Sequence, residues 1–316
     1  MMDWTDRHCR YLHRLMTRHA LLYTEMITAP ALINGDADRL LAFHPAEHPV
    51  ALQLGGSDPV ELAQATRIGA AHGYDEINLN IGCPSDRVQS GCFGAVLMER
   101  PGLVADCVAA MIAASPAEVT VKCRIGVDDQ IPADVLPDFL HIVSGAGVTR
   151  FAIHARKAWL QGLSPKQNRD VPPLDYPLVH RMKRDFPHLH LSVNGGIMDL
   201  DQAQAHLDAG MDGVMVGRAA YHTPADTLLD ADHRIFGATD TPRSADDIAC
   251  LMLPYIDAHL TAGGRLNQIT RHMLGLFAGR PGARGWKRTL SEQAHRPGAG
   301  PEVVEAALAQ VTQQAA

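Results

Sequence analysis

The stretch NLNIGCPSDRVQSG, residues 78 to 91, leaves an apolar, β-branched run (Ile77 to Ile81) and breaks at Gly82-Cys83-Pro84. Glycine and proline on either side fix the backbone where a buried strand ends, so the thiol can face a bound substrate. A free thiol has a pKa of about 8.5 and keeps most of its proton at neutral pH. Cys83 is therefore a candidate general acid as well as a nucleophile. A buried packing cysteine is the commoner reading of any cysteine taken alone, and the Gly-Cys-Pro setting argues against it here. The other cysteines are Cys9, Cys92, Cys107, Cys123 and Cys250, and no two form a C-x-x-C pair. No zinc site, and no metal, is expected. Cys107 and Cys250 fall in helical patterns and are read as packing, and Cys92 as incidental.

Other strand-like segments also end in polar residues. These are Gln53, then Asn78 and Asn80, Lys122 and Arg124, His154, Asn194-Gly195-Gly196, and Gly217-Arg218. A charged lysine in mid-strand needs a partner. For Lys122 the partner is either an internal acid or a bound ring that gains negative charge on reduction, as a flavin does, and Gln53 can hydrogen-bond the same ring. His154 alone reads equally well as a core histidine; beside Lys122 and Gln53 it reads as a ligand contact. "NGGI" and, about twenty residues later, "GRAA" put glycines after the last two strands. Glycine lets backbone N–H groups approach a phosphate closely, so the pair suggests a phosphorylated cofactor; two tight turns are the plainer alternative.

The elements that must position these residues alternate between strand and helix. Strands are expected at Leu21–Thr28, Val50–Leu54, Glu76–Ile81, Val119–Ile125, Thr149–His154, His190–Asn194 and Asp212–Val216. Their spacing is mostly about 25 to 40 residues, the length of a βα unit. The pattern is α/β, a parallel sheet covered by helices, and its apolar runs suggest burial on both faces. A closed TIM (β/α)8 barrel needs eight strands, with chemistry at their C-terminal ends. Here Met1 stands where a strand should be ending. The expectation is a barrel lacking its first strand, through truncation or a misplaced start codon. Beyond Arg218 the strands stop, and helical spacings (Ile248, Leu251, Ile256; Ile269, Met273, Leu276) read as an appended bundle. The expected division is a barrel over residues 1–225 and a C-terminal α-helical domain over 226–316.

At 316 residues the chain can hold one barrel with an appendage. No apolar run approaches the roughly 18 residues of a membrane span, and the N-terminus has no signal-peptide core; a cytoplasmic enzyme is expected. Net charge is −7, which by itself argues against a nucleic-acid partner. The distribution differs. From Arg265 to Arg296 there are seven basic residues and one acid, and from His154 to Arg169 four basic residues and none acidic. A basic face on an acidic body suits a polyanionic partner; two solvated surface segments would look the same by charge alone.

Taken together, EINLNIGCPSDRVQSGCFGAVLM, VTVKCRIGVDD, HARKAWLQGLSPKQNR, NGGI, VGRAAYHTP and RHMLGLFAGRPGARGWKR resemble the tRNA-dihydrouridine synthases, specifically their A subfamily. The resemblance spans nearly the whole chain. It implies an FMN-dependent TIM barrel with a helical C-terminal domain, using NADPH to reduce uridines 20 and 20a in the tRNA D-loop. It implies that Cys83 protonates the uracil. Gln53, Lys122 and His154 would contact FMN, and Asn194, Gly195, Gly196, Gly217 and Arg218 would clamp its phosphate. Asn80, Lys166, Arg169, Arg284 and Lys287 would hold tRNA, with Lys287 standing where an arginine is more usual. The family motif Pro-Met-x-Asp-Trp-Thr-Asp, whose backbone touches FMN, survives as MMDWTD, which assigns Met1 and Met2 to the cofactor. A monomer is expected. Two other readings stay open from the residues: a flavin barrel acting on a free pyrimidine, and a tRNA-binding module without catalysis.

Overall fold

A computed structural model describes residues 1–85 and 92–315. The tip of the cysteine loop, 86–91, and residue 316 lie outside the described residues. Seven strands form one parallel sheet: β1 (Leu22–Thr28), β2 (Val50–Gly55), β3 (Glu76–Ile81), β4 (Glu118–Arg124), β5 (Arg150–His154), β6 (His190–Asn194) and β7 (Gly213–Met215). Each strand pairs with the next in sequence, so the spatial order is β1 to β7 and every crossover has the same sense. This is the strand order of a TIM barrel, open between β7 and β1.

Helices Pro59–Ala71, Pro101–Ala114, Pro132–Gly145, Tyr176–Asp185 and Leu200–Asp208 cover the outer face. Their starts are written locally. Asp58 accepts from Val60 N and Glu61 N at 2.8 and 2.9 Å, ahead of Pro59 in the first helical position. That is a side-chain cap followed by the one residue with no N–H to leave unsatisfied.

The strands differ from expectation in one respect. They are buried but not apolar on both faces. Leu52, Leu54, Ile77, Leu79, Ile81, Val121, Cys123, Phe151, Ile153, Leu191 and Val193 join the core under the helices. The alternate residues, Gln53, Glu76, Asn78, Asn80, Thr120, Lys122, Arg124, His154 and Asn194, face the barrel interior. Period-two alternation in a parallel sheet is affordable because Gln53, Glu76, Asn78, Asn80 and Thr120 bond one another and Arg124 and Asn194 bond backbone carbonyls.

A second core joins Leu12 and Met16 of helix Arg7–Met16 and Ala220 to the C-terminal helices, around Ile248, Ile256, Ile269, Met273, Phe277, Trp286, Leu290 and Val311. Between barrel and bundle lie two short helices, Pro224–Leu228 and Ala231–Arg234. Cys107 is buried as expected, whereas Cys250 is exposed, on the outer side of helix Ala245–Leu251 whose inward residues are Ile248 and Ala249.

Candidate active site

The interior polar residues form a continuous chain of hydrogen bonds. Tyr23 and Thr120 donate their hydroxyls to Glu76 Oε1 at 2.5 and 2.6 Å. Asn78 Nδ2 donates to Thr120 Oγ1 at 2.7 Å, and Gln53 Nε2 to Asn78 Oδ1 at 3.0 Å. Asn80 Nδ2 donates to Gln53 Oε1 at 2.8 Å, while Asn80 Oδ1 accepts from the backbone N–H of both Gly82 and Cys83 at 3.0 Å. Each member fixes the rotamer of the next, so the turn that carries the thiol is held from below. At β2, where the pairing with β1 slips between Tyr23 and Met26, Thr24 Oγ1 accepts the Gln53 N–H at 2.9 Å and keeps that strand in place.

Cys83 is partly exposed, with its Sγ 3.5 Å from Ser85 Oγ. Cys83 lies within electrostatic reach of Lys122, Arg124 and Arg169, at the C-terminal end of the strands. Lys122 is paired in register with Asn80. It is enclosed by protein but retains some accessible surface. It makes no hydrogen bond or ion pair with any described residue. Burial, and then the Arg124 charge, pull its ammonium down to about 8. A buried cation without a partner is costly; the geometry fits an anionic or polar group that binds above it.

His154 sits across the β4–β5 ladder from Arg124 and across the β5–β6 ladder from Asn194. Burial first, then Arg124, Lys122, Arg156 and Arg218, hold its imidazole well below the usual range, so it is neutral at pH 7. Asn194 Nδ2 donates to Met215 O at 2.7 Å and fastens β6 to β7 at their ends. Gly195 and Gly196 have φ of +104° and +75°. A Cβ on Gly195 would run into the His154 ring, and one on Gly196 would lie 2.6 Å from Leu174 and 2.8 Å from the Tyr176 hydroxyl. Only glycine fits this turn. Tyr176 donates to Gly195 O at 2.5 Å and holds it. Met1 lies against Gly217, 3.7 Å from where a Cβ there would sit, and Met2 is 59% exposed.

Arg218 pairs with Asp170 at 2.7 Å, on a rim otherwise carrying Arg156 and Arg169. Lys122, Arg124, Arg156 and Arg218 all act electrostatically on His154, and Arg169 acts with Arg218 and Asp170 on the same rim. That field suits a phosphate.

Arg124 was visible in the sequence as a strand-end residue, but no role followed from it. In the structure it is the buried tie of the site. Nε donates to Gly82 O at 2.9 Å, and Nη1 to Lys157 O at 2.9 Å and Asn168 O at 3.1 Å. Burial lowers its guanidinium to about 10, so it stays charged at neutral pH. Its signal in the sequence was the two-residue step from Lys122, which puts both on the interior face.

Of the expected nucleic-acid contacts, Lys166 and Arg169 lie on the rim loop beside the thiol, Lys166 exposed and Arg169 half-buried. Arg284 and Lys287 are exposed on helix Ala283–Gln293 of the helical part, on one face with Arg288, while Trp286 and Leu290 are buried beneath. Asn80 differs in kind, because its carboxamide is engaged with Gln53 and the cysteine turn. The basic run after Arg265 is also thinner than its sequence suggests. Arg271 pairs with Asp6 at 2.5 Å and Arg280 with Asp246 at 2.7 Å.

An open parallel α/β barrel with a polar pocket, an unpartnered lysine and a glycine turn at its C-terminal rim defines the class: a TIM-barrel-like protein with its chemistry at the strand ends. The solved structure of morphinone reductase has a similar fold. It is 15% identical, with a TM-score of 0.52 over 75% of this chain and 83% of that one. The family model described as Dihydrouridine synthase (Dus) matches residues 1–312, and the chain belongs to that family. Among curated relatives named tRNA-dihydrouridine(20/20a) synthase, that of Escherichia coli O6:H1 is 59% identical over 98% of this chain and 92% of its own. That of Shewanella oneidensis is 57% identical over 98% and 92%, and that of Vibrio parahaemolyticus 55% identical over 99% and 96%.

Proposed function

We propose that the protein reduces uridine to 5,6-dihydrouridine at positions 20 and 20a of tRNA, with FMN as its cofactor and NADPH as reductant. The single observation that carries the mechanism is the placing of Cys83, at the strand ends, within electrostatic reach of Lys122, which has no partner among the described residues. On this reading residues 1–225 hold the flavin, residues 226–316 grip RNA, and the protein works as a cytoplasmic monomer.

The residues present fit FMN. Lys122 and the second N–H of the Gln53 amide suit the carbonyl edge of the flavin ring, and neutral His154 adds a hydrogen-bonding group. Asn194, Gly195, Gly196, Gly217 and Arg218 suit the phosphate, and the backbone at Met1 and Met2 closes the same end. FMN reduced by NADPH supplies the hydride for C6 of the uracil. The protein's own part is the rest. Cys83 donates its thiol proton to C5, where negative charge develops, so hydride and proton together saturate the C5–C6 bond. Asn80 and Arg124 hold the turn that aims the sulfur. Lys166 and Arg169 beside the mouth, with Arg284 and Lys287 on the helical part, hold phosphates while the target base is turned out of its stack.

The test is purification of the yellow protein and incubation with unmodified tRNA and NADPH. Dihydrouridine at positions 20 and 20a, with NADPH consumed in equal amount, is the expected result. A colourless protein that binds tRNA without turnover would overturn it, and equal turnover of free uridine would shift the substrate.

A further inference from the structure

Trp159 is an exposed aromatic residue on a rim loop that also carries Arg156, Lys157, Lys166 and Arg169. Its side chain is 38% exposed, whereas Trp286 is fully buried and Trp4 stacks on Tyr221 with ring centroids 4.6 Å apart. It is held unusually firmly for an exposed residue. Asn168, itself buried, accepts the backbone N–H of Trp159 at Oδ1 (2.7 Å) and donates from Nδ2 to Trp159 O (2.8 Å). On one side Ala158 bridges to the loop after β4, through Ala158 N to Gly126 O at 3.0 Å and Asp128 N to Ala158 O at 2.8 Å. On the other side Leu160 N donates to Asp128 Oδ1 at 2.8 Å. Arg124 then ties Lys157 O and Asn168 O to Gly82 O, so the backbone that carries the indole is tied to the turn that carries Cys83.

One cation lies over the indole and others share its loop. Lys157 Nζ lies 5.3 Å from the ring centroid, and Lys166 and Arg169 are on the same loop. An ordinary docking surface for a protein would surround an exposed tryptophan with apolar residues. A tryptophan among lysines and arginines, on a rigid loop, matches the arrangement that takes a nucleobase on an aromatic face while its phosphates meet the cations. An enzyme that turns one base out of the stack also leaves the neighbouring bases without a stacking partner.

We propose that Trp159 is a stacking platform for a nucleobase of the tRNA adjacent to the target uridine, so that it registers the strand over Cys83. The inference rests on the proposed function and deepens it. The occupant is the π-face of a base, and the recognition is therefore tolerant of base identity.

The test compares Trp159→Ala and Trp159→Phe with the wild type, using unmodified tRNA, at several salt concentrations. Trp159→Ala should weaken tRNA binding about tenfold (~1.4 kcal/mol), and Trp159→Phe should recover most of it. The slope of log affinity against log salt should stay that of the wild type, since stacking releases no counterions, unlike the loss of a phosphate contact. Flavin content should be unchanged. In the wild type, tRNA should quench tryptophan fluorescence, and Trp159→Phe should lose that quench even if Trp159→Ala folds poorly. Wild-type affinity in Trp159→Ala, or an undiminished quench in Trp159→Phe, would overturn the proposal. Failure of the wild type to reduce uridine in tRNA would instead strike the reading on which it rests.

Discussion

Asn80 Oδ1 accepts the backbone N–H of Cys83 at 3.0 Å, and the same side chain donates to Gln53 at 2.8 Å. The thiol is thus fixed through its own backbone by a residue whose other end belongs to the cofactor pocket. Asn80→Ala removes two hydrogen bonds from that turn and a third to Gln53. We expect kcat on tRNA to fall at least roughly tenfold, with tRNA affinity changed by less than about threefold, since the lost bonds act on the sulfur's aim. Single-turnover kinetics and a binding isotherm measure the two separately. A large loss of affinity with normal kcat would return Asn80 to direct RNA contact.

Cys83→Ala should fold, hold flavin and bind tRNA, and lose nearly all turnover with unmodified tRNA. The side chain is partly exposed, so its removal leaves no large cavity in the core. Dihydrouridine analysis of the product RNA decides this, and full activity would remove the residue from catalysis.

Lys122 gives a prediction of opposite sign for the free and the loaded protein. Its ammonium is drawn down from 10.5 to about 8 in the flavin-free fold. Between those values the unfolded chain carries the extra proton, so this residue's contribution makes stability rise with pH across that window. Lys122→Met should remove the cost of a buried charge, on the order of 3 kcal/mol at neutral pH. The flavin-free variant should therefore melt higher, while its flavin affinity falls because the cation that met the ring is gone. Thermal melts of both forms, with and without FMN, test the reversal.

His8 and His13 are held near 4 by burial, and His154 is held well below its usual range by burial and four cations. The unfolded chain takes up these protons below about pH 6.5 and the folded chain does not. Stability from these three residues is complete above that pH and is lost as pH falls toward 4. Urea midpoints at pH 7, 6 and 5 should decline progressively, with a slope of up to about 4 kcal/mol per pH unit if all three contribute fully. The His154 imidazole should show no titration by NMR between pH 6 and 8.

Lys166→Ala, Arg169→Ala, Arg284→Ala and Lys287→Ala should each lower the salt slope of tRNA affinity by about 1, uniformly across tRNA sequences. Reduction of the bound flavin by NADPH should be unaffected. A residue whose removal leaves the slope unchanged touches no phosphate.

Strand positions were legible in the sequence because buried parallel strands need apolar residues on the helix side at every second place. All seven expected strands are found, within two residues at each end. The thiol, the lysine, the histidine and the Asn194-Gly195-Gly196 turn could be singled out for a similar reason, since each is a residue type that a buried strand end tolerates only for a purpose. The sequence by itself therefore determined the order of the units, the chemical groups at their ends and the family they resemble. It did not decide which of those groups hold one another. Gln53, Asn78, Asn80 and Thr120 come from three different strands, and their bonding follows from register across the sheet. Arg124 reaches carbonyls 33 and 44 residues away. Asp6 and Asp246 neutralise arginines of the basic run from up to 265 residues away. Such pairings depend on where the chain returns in space, so only the tertiary structure assigned them.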